Sequence, residues 1–148
     1  AAYIDTLESN GITYNPQLVY GGTYEINSGY EAARYFMEQC PTQPTAIISS
    51  NDAMAVGVMG YLREYGYKVP TDVAVAGFDD IFLSKIVDPP LTTYRQPLKL
   101  IASRVMHLLI NKIQTPGIEN KKIVIPGKLI VRGSTVDGKK NKVFPIVE

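Results

Sequence analysis

The chain has 148 residues, enough for one domain with a core of its own. Lys and Arg number 15 against 14 Asp and Glu, a net charge of +1, which gives no strong field for nucleic acid or an anionic membrane. Hydrophobic residues make up 45%, no apolar run reaches membrane-spanning length, and the one cysteine, Cys40, excludes an intramolecular disulfide and a Cys-rich zinc site.

Residues 2–8 read as the second half of an amphipathic helix, ended at Asn10-Gly11, where Gly can take the left-handed cap conformation. No capping residue precedes it, so the sequence is expected to begin inside a larger domain. Residues 16–20 read as a short strand. Ser28-Gly29-Tyr30-Glu31 has the form of a capping box, and a helix should run from it to Cys40, where Pro41 blocks continuation. Residues 45–49 form a strand and 52–65 a helix, with Ala, Val and Met on one face and Gly66 after it. Residues 72–76 are a strand apolar on both faces, as a parallel strand under helices is.

Residues 81–87 form a short helix or turn, stopped by Pro89-Pro90, and 91–94 are extended. Pro97 suits a first helical position, and Leu98, Ile101, Val105, Leu108, Leu109 and Ile113 recur at helical spacing after it. Pro116-Gly117 turns the chain; 122–125 and 129–132 are strands separated by Pro126-Gly127. The stretch from 136, with Gly138-Lys139-Lys140-Asn141-Lys142, is a polar and peripheral tail. The alternation of strand and helix predicts an α/β fold with a doubly wound parallel sheet.

In such a sheet, ligands bind beyond the carboxyl ends of the strands. Ser50-Asn51-Asp52 follows Ala46-Ile47-Ile48, and Phe78-Asp79-Asp80 follows Val73-Ala74-Val75-Ala76-Gly77. Asn51 and Asp52 are favoured helix caps, so a structural role competes evenly with a functional one, in which one side chain caps and the other enters a crevice. Asp79 and Asp80 can cap the short helix after them. Read functionally, a carboxylate there accepts from vicinal sugar hydroxyls, or from a base or amine. Paired-acid hydrolysis has no support from any further acid, nucleophile or metal ligand.

Tyr24 offers a ring to stack on a ligand, against the plainer reading of a surface turn tyrosine. Phe78 fits packing at the turn better than ligand contact. Arg95 and Gln96 either face a cleft or are solvated linker residues. His107 lies mid-helix among apolar residues, and Cys40 has no histidine at matching spacing. Walker, Gly-x-Gly-x-x-Gly and Gly-x-Ser-x-Gly motifs are absent, so no cofactor, metal or catalytic residue is expected.

Taken in order, Pro44-Thr45-Ala46-Ile47-Ile48 with Ser50-Asn51-Asp52-Ala53-Met54-Ala55, Val69-Pro70-Thr71-Asp72-Val73-Ala74-Val75-Ala76-Gly77-Phe78-Asp79-Asp80, Pro89-Pro90-Leu91-Thr92-Thr93-Tyr94-Arg95-Gln96-Pro97 and Leu129-Ile130-Val131-Arg132-Gly133-Ser134-Thr135 closely resemble the LacI/GalR family of bacterial transcription regulators. The likeness runs from residue 1 to about Thr135. It implies the second half of an effector-binding core, with the two-lobed type I fold of periplasmic sugar-binding proteins. Residues 1–93 would be the C-terminal lobe; 94–127 a crossover, helix and strand of the N-terminal lobe; 128–135 a return strand; and 136–148 the tail.

The resemblance implies a small-molecule effector, a sugar or similar polar metabolite, held by Tyr24, Asn51 and Asp79; Phe78 and Gln96 complete the candidate set. Some members place an aromatic where this chain has Leu98. A homodimer is expected through Val56, Met59, Ile81, Phe82 and Ile86. Operator DNA would be bound only through a helix-turn-helix upstream, in a cytoplasmic, non-membrane protein. The alternative is an extracytoplasmic sugar-binding protein of a transporter; a flavodoxin-like enzyme is a third class. The stripe on 97–114 is expected to be covered, either by a second copy or by folding back onto its own lobe.

Overall fold

In a computed structural model, residues 2–115, 117, 119 and 122–136 are described. Four short strands make one sheet: β1 (Ala46–Ile48), β2 (Ala74–Phe78), β3 (Thr92–Arg95) and β4 (Lys128–Ile130), in that order. β1, β2 and β3 are parallel, with Ile47 opposite Val75 and Gly77 opposite Thr93. β4 runs antiparallel to β3, pairing Tyr94 with Leu129, so the sheet is mixed rather than wholly parallel. The parallel order brings the carboxyl ends of β1, β2 and β3 side by side.

Helices α2 (Ile26–Arg34) and α3 (Asp52–Glu64) form the main layer over the sheet. Along α3, Met54, Ala55, Val58, Met59, Tyr61 and Leu62 are buried, the i, i+3, i+4 pattern of a helix with one face in the core. Of these, Ala55, Val58, Met59, Tyr61 and Leu62 join Ala33, Phe36, Ile47, Val73, Val75 and Leu91 in a single apolar cluster. The two helices cross at backbone contact. A Cβ on Gly29 would lie 1.9 Å from the Met54 carbonyl oxygen, and one on Gly57 would lie 1.9 Å from that of Ile26. This crossing holds the loop before α2 against the start of α3, at the strand ends.

Several expected elements differ. Residues 16–20 are not a strand: Pro16–Leu18 is a 3-10 turn, because Asn15 accepts the Gln17 N–H and Pro16 takes the first helical position. The capping box is displaced as well. α2 starts at Ile26; Ser28 instead accepts the Thr23 N–H at 3.0 Å, and Glu31 pairs with Arg34. After Arg34 the helix widens into a π turn, Tyr35–Gln39, and stops at Cys40, as Pro41 requires. The segment 122–125 is irregular, and the strand expected at 129–132 is β4, one residue earlier at its start and ending at Ile130. The short helix α4 is Leu83–Ile86.

α1 (Ala2–Ser9) and α5 (Leu98–Gln114) contain no buried residue. α5 is therefore not folded back onto the sheet: Leu98, Val105 and Leu109 are exposed, and among the described residues the apolar stripe shares a shallow hollow with Ile123 and Ile125. Pro116 and the residues from 137 on, including the basic tail, lie outside the described residues. Among the described residues no helix is long and apolar enough to cross a membrane.

The crossing makes opposite forecasts for two glycines of this layer. Gly29→Ala must push its new Cβ into the Met54 backbone, which cannot rotate away, and should destabilise the fold by about 1–3 kcal/mol or more. Gly60, in α3, has nothing within 4 Å of an added Cβ, so Gly60→Ala should stabilise by about 0.5–1 kcal/mol. Urea unfolding of both variants checks the pair.

Candidate functional site

The first strand end is built around Asn51. Its backbone is extended, and its Oδ1 accepts the Met54 N–H at 2.9 Å, the N-cap bond of α3. Its Nδ2 donates to the Tyr24 carbonyl at 2.9 Å. One amide therefore ties β1, α3 and the loop before α2 together. Tyr24 sits at φ 66°, and its side chain stands in solvent, the residue being 66% exposed.

The second strand end is a strained turn. Asp79 has φ 113° and Asp80 has φ 58°, two consecutive non-glycine residues on the left-handed side. Each costs of order 1–3 kcal/mol and persists only where its surroundings hold it. Here three successive amides are engaged. The Asp79 N–H donates to the Tyr94 carbonyl at 2.9 Å, the Asp80 N–H to Thr93 Oγ1 at 3.2 Å, and the Ile81 N–H to Asp52 Oδ2 at 2.8 Å.

Asp52 is fully buried beneath this turn. Its Oδ1 accepts the Thr93 hydroxyl at 2.5 Å, and a Cβ on Gly77 would come within 2.3 Å of the same oxygen. Glycine at 77 is what admits the carboxylate. Burial pushes the Asp52 carboxyl up from its ordinary range; hydrogen bonds from Thr93 and Ile81 oppose this, and the charges of Asp79 and Asp80 add to it.

The turn sends its two acids in different directions. Asp79 Oδ1 accepts the Gln96 Nε2–H at 2.6 Å, which links the ends of β2 and β3. The Asp80 side chain is only 2% exposed; it accepts Arg95 Nε at 2.5 Å, Arg132 Nη2 at 2.6 Å and the Ser84 hydroxyl at 3.1 Å. Burial alone would raise the Asp80 carboxyl, but the bonds from Arg132, Arg95 and Ser84, with the charge of Arg132, outweigh it and bring it to about 2. Phe78 stacks on Tyr94, with ring centroids 5.3 Å apart.

The fold thus joins Asn51 to Tyr24 and Asp79 to Gln96, at neighbouring strand ends. The expectation that one of Asn51 and Asp52 caps while the other enters a crevice is corrected: Asn51 caps, and Asp52 faces inward to Thr93 and Gly77. Phe78 has a packing partner in Tyr94 and stays partly exposed. With Asp52 and Asp80 committed to buried donors, Asp79 is the acid of this trio left at the strand ends. Its free oxygen lone pairs, the two amides and the exposed Tyr24 ring offer hydrogen bonds and stacking to a small polar molecule. Thr93, Ser84 and Arg132 were not singled out by sequence; the signal would have been Asp80 itself, an acid that needs cations if it is buried.

The expected interface residues divide. Val56 and Ile86 line a groove of about 680 Å³ between α2, α3 and α4, with Ile26 and Leu83. Ile81 and Phe82 are exposed ahead of α4. Met59 lines the same groove from α3 and also packs in the core, at 6% exposure. Cys40 is buried and donates to the Gln17 carbonyl, while His107 lies exposed on α5. Among the described residues no group of three or more His, Cys, Asp or Glu is placed to hold a metal ion.

Residues 1–135 match the periplasmic binding protein-like domain family. The chain is 35% identical over 133 residues to the HTH-type transcriptional repressor CytR of Escherichia coli strain K12, covering 90% of this chain and 39% of that protein. It is 38% identical over 113 residues to the ribose operon repressor of the same organism, covering 76% of this chain and 34% of the relative. Among solved structures, the transcriptional regulator CelR in complex with cellobiose superposes with a TM-score of 0.83 at 32% identity, over 89% of this chain and 40% of that one. The chain therefore spans about two-fifths of the length of such relatives or less.

Asp52 and Asp80 pull acid stability in opposite senses. Asp80 is held below its unfolded value of about 3.9, so its contribution, of order 2 kcal/mol, is present above pH 4 and lost as pH falls toward 2. Asp52 binds its proton more tightly folded than unfolded, so it costs stability as pH rises from about 4 toward its raised value. Asp52→Asn can keep both bonds with the Thr93 hydroxyl reoriented. It should match wild type at pH 3 and equal or exceed it at pH 7. Asp52→Ala strands the Ile81 N–H and should lose about 1–3 kcal/mol. Denaturant titrations at the two pH values decide this.

Proposed function

The chain belongs to the periplasmic binding protein-like domain family, among the LacI-type transcription regulators, and from that premise we propose that it is an effector-binding part of such a regulator, acting in the cytoplasm and answering to a sugar or similar small polar metabolite. The observation that carries this reading is Asp79: an acid forced to φ 113° at the end of β2, with its carboxylate directed across the crevice to Gln96. A carboxylate so placed accepts a pair of vicinal hydroxyls, and a charged acceptor makes those bonds strong. Gln96 and Asn51 supply further amide partners, the Tyr24 ring covers an apolar ligand face, and Phe78 closes the edge.

In this reading residues 1–93 and 128–135 form one lobe, and 94–127 belong to the other, with 136–148 peripheral. The exposed stripe of Leu98, Val105 and Leu109 supports that division, since such a face needs a sheet to cover. Ligand bridging the lobes would favour one inter-lobe angle, a population shift that a dimer converts into the spacing of its DNA-binding heads. Operator contact would come from a helix-turn-helix elsewhere in the full protein. That CytR and the ribose operon repressor are repressors supports this over a transporter's binding protein.

Two measurements test the reading. Asp79→Asn tolerates the left-handed backbone, keeps the shape and removes the charge. In the protein carrying both lobes it should weaken binding of the sugar found by calorimetric screening about tenfold or more, a loss of about 1.5–3 kcal/mol; unchanged affinity would remove Asp79 from the site. The homodimer is proposed to form on the groove lined by Val56 and Ile86. Val56→Glu should then give monomers in sedimentation, and an intact dimer would place the interface elsewhere.

A further inference from the structure

Residues 79–80 and 95–96 meet in two adjacent rungs. Asp79 accepts from Gln96 and Asp80 accepts from Arg95, at 2.6 and 2.5 Å. The order is crossed: the earlier acid meets the later partner. The segments are therefore clasped, and sliding one along the other breaks both rungs together. The Gln96 rung lies at the crevice; the Arg95 rung is rooted in a carboxylate that is 2% exposed.

The two arginines on Asp80 differ. Arg132 has a side chain only 15% exposed and also donates to the Leu91 carbonyl at 2.7 Å and to Ser84 Oγ at 3.1 Å. It anchors Asp80 to the body of the lobe. The Arg95 side chain is 50% exposed and leaves from the last residue of β3, where the chain departs toward α5. One arginine holds the acid in place; the other is held by it.

We propose that Asp80 and Arg95 are positioning residues: their ion pair fixes the start of the crossover so that the Gln96 amide rests on Asp79 and the crevice is preset before ligand arrives. Its relevance to ligand rests on the reading of this crevice as the effector site. A preset amide–carboxylate pair presents a fixed donor and acceptor pattern, so less ordering is left to be done on binding. Asp80, kept in place by Arg132 and Ser84, survives loss of Arg95, so removing Arg95 tests positioning and not folding.

The experiment reads the Gln96 side-chain NH₂ pair in ¹⁵N–¹H spectra of the full chain, identified by its disappearance in Gln96→Ala, and needs no ligand. Arg95→Gln should move that resonance most of the way to the position of solvent-exposed glutamine amides, leaving the backbone signals of Val58, Tyr61 and Val75 and the melting temperature nearly unchanged. Arg95→Lys, which can still reach Asp80 with a charge, should restore the wild-type position in large part. A Gln96 resonance that stays put in Arg95→Gln, one that moves alike in Arg95→Gln and Arg95→Lys, or a general collapse of the spectrum would overturn the proposal. Because no ligand enters, such a failure is distinct from a failure to find a sugar that binds.

Discussion

A carboxylate taken out of water has to be answered by donors, and this fold places two such carboxylates at one turn. Asp52 and Asp80 together engage the Ile81 amide, Thr93, Ser84, Arg95 and Arg132. Buried ion pairs are weak stabilisers in net terms, because desolvation offsets much of their attraction. Their consequence here is geometric. They hold Asp79 and Asp80 at positive φ, a backbone that an unsupported acid would leave. The strand end after β2 is therefore held in shape, and its half-buried acid, Asp79, is directed to Gln96.

The rest of the fold serves that placement. Gly29 and Gly57 let α2 and α3 touch at the backbone, which brings the loop bearing Tyr24 onto Asn51. Gly77 removes the side chain that would displace Asp52. The parallel register of β1, β2 and β3 then lines up Asn51, Asp79 and Gln96 at one edge. Small residues at close approaches and buried acids under a turn belong to one arrangement: each permits a contact that the next depends on.

The architecture was legible where the signal was local and repeated. The helical spacing along α3, the two-sided apolar run of β2 and the stop at Pro41 all appear in the structure. So do the polar clusters at the strand ends, because an α/β alternation fixes where such ends lie. The misreadings share a cause, competition among local signals. Asn15-Pro16 caps a 3-10 turn that a short apolar run does not override, and Ser28 finds the Thr23 amide before it finds a helix end. The network around Asp80 was not legible, since its partners lie 4 to 52 residues away in sequence and only the folded sheet unites them.

The ends of β1, β2 and β3 are where we propose that a small polar ligand is held. Hydrogen–deuterium exchange on the protein carrying both lobes, with and without a saturating sugar that binds it, tests this most directly. Ligand should slow exchange at the amides around Tyr24, Asn51, 79–81 and 95–96 and leave the groove between α2, α3 and α4 unaffected. Saturable binding that leaves those amides unchanged, or that protects the groove instead, would contradict it.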